Sequence, residues 1–208
     1  MKFSATVTLQ YDTIFSSFSP ADYLKGLDWM KANHLDGAEL CISNYNNLDV
    51  AKIKDELDQR GLGCSTLSTG QARGLEGLSL IGVPADVTKM RRKDREVTDF
   101  TEILKIIDAA KILGSKVTMG LMRGLGSQTT MDKDLKELAE AMKPIIEYAD
   151  KKGVTICLEA INRYETALLN SAEATVEFID NGLGNPDCVG ILWDLFHANI
   201  EDIGYERS

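Results

Sequence analysis

Two carboxylates stand at matching places in this chain. Glu159 closes the apolar run Ile156-Cys157-Leu158-Glu159, and Asp194 closes Ile191-Leu192-Trp193-Asp194. An acid directly after a buried strand sits where the sheet meets solvent, and an unpaired charge there is costly. One divalent cation between adjacent strand ends would satisfy both. Oxygen donors with an imidazole nearby suit Mg²⁺, Mn²⁺ or Co²⁺ better than a metal that prefers thiolates. The competing arrangement pairs each acid with a neighbouring base, and Arg163 is the obvious candidate. Glu165 lies six residues past Glu159, and His197 three past Asp194. Both are expected in the loops above their strands, where polar groups can hydrogen-bond the hydroxyls and carbonyl of a sugar. For His197 the alternative is a packed or helix-capping histidine. The other histidine, His34, falls in the helix-end sequence Lys31-Ala32-Asn33-His34 and reads as surface.

Short β-rich runs alternate with longer helical ones and must position these residues. The expected strands are Lys2–Leu9, Gly37–Ile42, Gly63–Ser68, Lys116–Leu121, Val154–Glu159 and Cys188–Asp194. Between them lie amphipathic stretches. Ser19-Pro20-Ala21-Asp22 supplies a capping Ser, a proline at the first helical position and an acid in the first turn. The helix it opens spaces Tyr23, Leu24, Leu27 and Met30 along one face. Leu48–Arg60 carries Val50, Ile53 and Leu57 and stops at Gly61. Thr98–Leu113 carries Phe100, Ile103, Leu104, Ile107 and Ala110 and stops at Gly114. Leu135–Lys152 is closed by Gly153, and Pro144 inside it should kink it or start a second piece. Ser171–Asn181 turns Ala172, Val176 and Ile179 inward before Gly182.

This is βα repeated six times in one domain, which implies a parallel sheet flanked by helices. An open doubly wound sheet and a (β/α)8 barrel both fit the rhythm. The barrel needs about 250 residues for eight units, and periodicity alone does not choose. The irregular region Thr69–Lys93 is too long for a simple connection and reads as an active-site loop with a short helix. The basic run from Lys89 to Arg95 reads as a solvated helix start. Nucleotide-binding versions are excluded: no Gly-x-Gly-x-x-Gly follows the first strand, and no Gly-x-x-x-x-Gly-Lys-Ser/Thr occurs. Gly120-Leu121-Met122-Arg123-Gly124-Leu125-Gly126 is glycine-rich after a strand but fits neither spacing, leaving a phosphate cradle there as a weak alternative.

Composition narrows the function classes. The 208 residues carry 32 acids and 23 basic groups, a net charge of -9, with 44% hydrophobic residues. That suits a globular domain with a real core and argues against a nucleic-acid partner, whose phosphates call for a basic face. The longest uncharged stretch, Gly61 to Ala72, is polar and short of the ~20 apolar residues a membrane span needs. The N-terminus alternates like a strand and has no apolar signal region. Cys41, Cys64, Cys157 and Cys188 are far apart and fall in strand-like runs, so a reduced, cytoplasmic protein is expected.

Two blocks carry a family resemblance. They are Glu159-Ala160-Ile161-Asn162-Arg163-Tyr164-Glu165-Thr166, with Leu168-Leu169-Asn170-Ser171-Ala172 downstream, and Trp193-Asp194-Leu195-Phe196-His197-Ala198-Asn199-Ile200-Glu201. Together they resemble the D-tagatose/D-psicose (allulose) 3-epimerase group of the xylose-isomerase-like TIM barrels. The likeness spans about forty residues. Glu39 and Leu67-Ser68-Thr69-Gly70 extend a weaker one over the chain. The resemblance implies a (β/α)8 barrel in which Glu159 is a metal ligand and one of two catalytic bases, and Asp194 is the second ligand. Glu165 and His197 would hold the O1 and O2 end of a ketose or ketose phosphate. The implied reaction removes the C3 proton beside the C2 ketone, forms a cis-enediolate and returns a proton from the opposite face. The implied ion is Mn²⁺, with Mg²⁺ or Co²⁺ as alternatives.

The same resemblance implies a further histidine ligand and a second glutamate base, in two more βα units of roughly 60–70 residues. The chain ends at Ser208 before either. The expectation is therefore a barrel with about six of its eight units, incomplete at the C-terminus, with no nucleic-acid or membrane partner and a homo-oligomer left open. The alternatives are a catalytically incomplete fragment that binds a sugar or a partner without turnover, and a relative of hydroxypyruvate isomerase or inosose dehydratase. An endonuclease IV-type site would need several histidines around zinc, and the chain has 2.

Overall fold

The computed structural model describes residues 1–69, 71–82 and 101–202. Six strands lie in one sheet: β1 (Ser4–Thr8), β2 (Gly37–Cys41), β3 (Gly63–Ser68), β4 (Lys116–Met119), β5 (Ile156–Glu159) and β6 (Val189–Leu192). Every neighbouring pair is parallel, and the spatial order follows the chain, β1-β2-β3-β4-β5-β6. A doubly wound sheet reverses direction at a switch point. A sequential order without reversal is the arrangement of a barrel.

The two faces of the sheet differ because successive side chains point to opposite sides. Val7, Leu40, Leu67, Val117, Met119, Ile156 and Leu158 are at most 1% exposed and form the layer under the helices. Burying each such side chain contributes roughly 1.5–3 kcal/mol. The alternate positions are polar or small: Thr6, Glu39, Thr66, Thr118, Cys157 and Glu159. Thr6 donates from Oγ1 to Glu39, and the Thr66 and Thr118 hydroxyls meet at 2.8 Å. The covered face holds the protein together; the other leads up to the site.

Seven helices flank the strands among the described residues: α1 (Tyr23–Ala32), α2 (Val50–Asp58), α3 (Ala72–Glu76), α4 (Thr101–Leu113), α5 (Met131–Lys152), α6 (Ala172–Glu177) and α7 (Leu195–Glu201). The expected stripes largely hold, with Leu27, Met30, Ile53, Leu57, Ile103, Ile107 and Ala110 buried. Gly153 ends α5 in the left-handed conformation, its N–H bonded to Ala149 and Asp150 carbonyls. His34 is exposed just past α1 with φ 59°. All four cysteines are free and buried.

Several expectations are corrected. α5 continues through Pro144, so the proline does not start a second piece. The proline is exposed, so the carbonyl one turn back, which loses its donor, faces water and the break costs less. Val176 is 44% exposed, and Thr175 and Phe178 are buried in its place. There the helix passes into a π turn over Phe178–Gly182, so Gly182 continues the helix instead of stopping it. Ser19 caps nothing by its side chain; its hydroxyl donates to Asp22 instead. The whole basic run from Lys89 to Arg95, Phe100 and just under half of the region Thr69–Lys93 lie outside the described residues. Among the described residues no helix is long and apolar enough to cross a membrane.

Candidate active site at the ends of strands five and six

Glu159 is the last residue of β5, as the sequence suggests. Asp194 is not a strand residue. β6 ends at Leu192, and Asp194 becomes the N-cap of α7, accepting the Phe196 N–H at 2.7 Å. Capping draws the chain out of the sheet, because the carboxylate must turn back to meet the first free N–H groups. His197 then lies in the first turn of α7, not in a loop, and is 7% exposed. Ligand atoms of Glu159, Asp194 and His197 all lie within 4.8 Å of one another. His197 Nε2 is 3.8 Å from Glu159 Oε1 and 3.9 Å from Asp194 Oδ2. Glu165 sits in the loop after β5, its Oε1 3.9 Å from His197 Nδ1. The structure thus brings all four residues together.

The histidine tautomer follows from Asn162, to which the sequence assigns a place in a motif but no role. Asn162 is 1% exposed. Its Oδ1 accepts the Tyr164 backbone N–H at 2.9 Å, which fixes the orientation of the amide because a backbone N–H can only donate. Its Nδ2 therefore donates to Glu165 Oε1 at 3.0 Å and meets His197 Nδ1 at 2.8 Å. Nδ1 must accept, so the ring proton sits on Nε2 and points toward the two carboxylates. In this state His197 offers a hydrogen-bond donor to an oxygen, whereas ligation of a metal would need a bare nitrogen.

Arg163 does not neutralise the site. It faces away and grips Glu201 of α7 through Nε and Nη2. The cation that does lie near is Arg123, in the short 3-10 turn Leu121–Arg123 after β4, and it is 0% exposed. Burial pushes its pKa down to about 10 against the pull of Glu159, so it stays protonated at neutral pH. Nη1 donates to the Gly120 and Glu159 backbone carbonyls at 3.2 and 2.8 Å, and Nη2 to the Leu168 carbonyl at 2.9 Å. The loop it holds includes Leu169 at φ 53°, a conformation that costs a leucine on the order of 1 kcal/mol.

Burial therefore dominates the Glu159 carboxyl and pushes it up to about 7. Arg123 opposes the shift, and the negative charges of Asp194, Glu39 and Glu165 add to it. Glu39 is raised in the same way, by burial first, with the Thr6 hydrogen bond opposing and Asp194 adding. Carboxylates crowded this closely, with the nearby cation committed to backbone carbonyls, fit a divalent cation, which would remove their mutual repulsion. The glycine-rich segment after β4 is no phosphate cradle. A Cβ on Gly120 would lie 2.6 Å from Glu159 Oε2, on Gly124 2.5 Å from Ile81, and on Gly126 2.4 Å from Leu168. The space is filled by protein.

Known proteins share this framework. The chain is 27% identical over 179 residues to an L-ribulose 3-epimerase from Methylomonas sp. (strain DH-1), covering 83% of this chain and 57% of the relative. It therefore spans little more than half the length of that protein. Among solved structures, a 3-keto-D-glucoside 4-epimerase from E. coli superimposes with a TM-score of 0.73 at 20% identity, covering 100% of this chain and 73% of the other. A D-allulose 3-epimerase from Methylomonas sp., in complex with D-allulose, gives 0.70 at 23% identity, covering 98% and 66%. At those identities the superpositions speak for the fold. The family profile of the xylose isomerase-like TIM barrel matches residues 26–207, and with its sequential parallel strands this chain belongs to that family.

Proposed function

We propose that this chain is a sugar epimerase that exchanges a proton on the carbon beside a ketose carbonyl, with Glu159 as the base. The observation that carries the reading is Glu159 itself: a strand-end carboxyl pushed up to about 7, facing Asp194 and the Nε2–H of His197. A base poised near the working pH balances readiness to accept the proton against the drive to transfer it. Removing the C3 proton leaves negative charge on the former carbonyl oxygen, a cis-enediolate. His197 Nε2–H is aimed to donate to that oxygen, and Asn162 fixes the tautomer that makes it a donor. Glu165, held by Asn162, accepts a substrate hydroxyl at the same end. Glu159 and Asp194 would hold a divalent cation, Mn²⁺ before Mg²⁺ or Co²⁺, and when bound the ion supplies a Lewis acid for the carbonyl and neighbouring hydroxyl. The sequence likeness to an L-ribulose 3-epimerase supports a ketose substrate. Inversion also needs a second proton carrier on the opposite face, a role to which no residue is assigned.

Incubation in D₂O with Mn²⁺ and fructose, tagatose, ribulose or xylulose, followed by NMR, tests the reading. Deuterium at C3 in the wild type and its loss in Glu159→Gln is the expected result. Sugar binding without label would leave a carbohydrate-binding barrel. The absence of both sugar binding and label would overturn the assignment.

A further inference from the structure

We infer that Gly120 and Arg123, in the turn after β4, are positioning residues for Glu159: the glycine leaves the gap that the carboxylate occupies, and the buried guanidinium ties down the backbone on which it stands. The inference rests on the proposed role of Glu159 as a metal-holding base. Two independent observations carry it. The first is steric. Any side chain at Gly120 would put a Cβ 2.6 Å from Glu159 Oε2, and beyond that contact the next atom is Ile161 Cδ1 at 3.5 Å. The conflict thus falls on the movable end of one side chain, so an added methyl shifts the carboxylate and little else.

The second is the destination of Arg123's hydrogen bonds. The side chain is 0% exposed, and a buried cation ordinarily pairs with an acid. This one donates to three backbone carbonyls: Gly120 on its own turn, Glu159 at the end of β5 and Leu168 in the loop beyond. Its Nε–H has no acceptor. The same loop is fastened at other points, with Thr166 Oγ1 and the Ala167 N–H donating to the Leu125 carbonyl, and Asn170 Nδ2 donating to the Ile161 carbonyl. One guanidinium therefore ties the turn after β4 to both ends of the segment that carries Glu159, Asn162 and Glu165. The glycine-rich run from Gly120 to Gly126 has a use that its sequence spacing did not reveal: it is the seat of Glu159.

Mn²⁺ affinity, read by electron paramagnetic resonance of the free ion, tests this on the full chain, with melting temperature recorded for each variant. Gly120→Ala is expected to melt near the wild type and bind Mn²⁺ at least about tenfold more weakly, the scale on which groups behind a ligand act. Arg123→Met should weaken Mn²⁺ at least as much, and Arg123→Lys, which keeps the charge but not the fork, should fall between. Leu138→Ala, in the core of α5, lowers the melting temperature without changing Mn²⁺ affinity and so marks what instability alone does. Should Arg123→Met fail to fold, Gly120→Ala and Arg123→Lys decide the matter. Wild-type affinity in folded Gly120→Ala and in either Arg123 variant overturns the inference. If the wild-type chain binds no Mn²⁺, the function proposed for Glu159 fails, and positioning is judged from crystal structures of metal-free wild type and Gly120→Ala. A Glu159 carboxylate displaced by about 1 Å, the distance needed to relieve the contact, keeps positioning; an unmoved one ends it.

Discussion

Glu159 and Asp194 close the same mouth at the ends of neighbouring βα units, yet the protein holds them by opposite means. Glu159 stands on the sheet itself, flanked by buried residues and backed by Arg123, and burial keeps its proton on up to about 7. Asp194 has left the sheet to cap α7, its side chain 38% exposed and bonded to the Phe196 N–H. A helix N-terminus favours an anion, so Asp194 is suited to hold charge and Glu159 to exchange a proton. The sharpest break in the comparison is Glu159→Gln. It keeps the shape and removes the base, and C3 deuterium exchange is expected to fall about a thousandfold. An equal fall in Asp194→Asn, with Mn²⁺ affinity unchanged, would mean the two roles are assigned the wrong way round.

The pH dependence separates the two ends next. In the metal-free protein a proton must leave Glu159 before a cation can take its place. Because its folded value is raised above the ordinary 4.5 to about 7, that competition operates below about 7 and vanishes above it. Mn²⁺ affinity should level off above neutrality and fall by about fiftyfold between pH 7 and pH 5. Melting curves with EDTA and with Mn²⁺ at each pH would show it as a cation-induced stabilisation that shrinks on acidification. In Glu159→Gln the residual pH dependence should be nearly flat. A steep dependence surviving there would place the titrating group elsewhere.

Asp194 allows a division of labour to be measured within one side chain. Asparagine caps helices about as well as aspartate, whereas alanine loses about 1 kcal/mol. Asp194→Asn should therefore keep the melting temperature and lose about tenfold in Mn²⁺ affinity. Asp194→Ala should lose both. If Asp194→Asn also unfolds α7, by circular dichroism, the charge itself is needed at the cap.

How much of this could be read in advance depended on whether the signal was local. Glu159 and Asp194 were legible because each closes an apolar run, and a carboxylate in that place has few explanations. The strands were legible from their own residues, but the arrangement was not. Six βα units fit two architectures until the pairing order of β1 to β6 is known, and pairing is made by partners far along the chain. Arg123 and Gly120 were illegible for the same reason. Within Gly120–Gly126 they look like part of a glycine-rich turn, and their meaning comes from Glu159 and Leu168, 36 and 45 positions away from Arg123. Asn162 was quoted for its place in a motif, but its effect on the His197 proton needed the 2.8 Å contact with Nδ1. The π turn after α6 left no trace in the sequence, where Gly182 reads as a stop and not as a continuation of the helix.

The smallest expected effect concerns the residue that sequence reasoning favoured as counter-ion. Arg163, from the loop after β5, grips Glu201 of α7 and so ties the two regions together from outside the site. Arg163→Met should leave deuterium exchange and Mn²⁺ affinity at wild-type levels. The Arg163 side chain is 56% exposed, so water screens the pair and its loss should lower the melting temperature only slightly. The sign with pH is fixed by Glu201, whose pKa is lowered below the ordinary 4.5 chiefly by the Arg163 hydrogen bond. A lowered folded value means that the stabilisation is fully present above 4.5 and fades as pH drops through the folded value. Melting temperatures of wild type and Arg163→Met should accordingly differ at pH 7 and converge as the pH falls below 4.5. A tenfold loss of exchange in Arg163→Met at unchanged stability would instead make Arg163 the counter-charge of the site, and the contrast between a backed Glu159 and a capped Asp194 would have to be drawn again with Arg163 serving both.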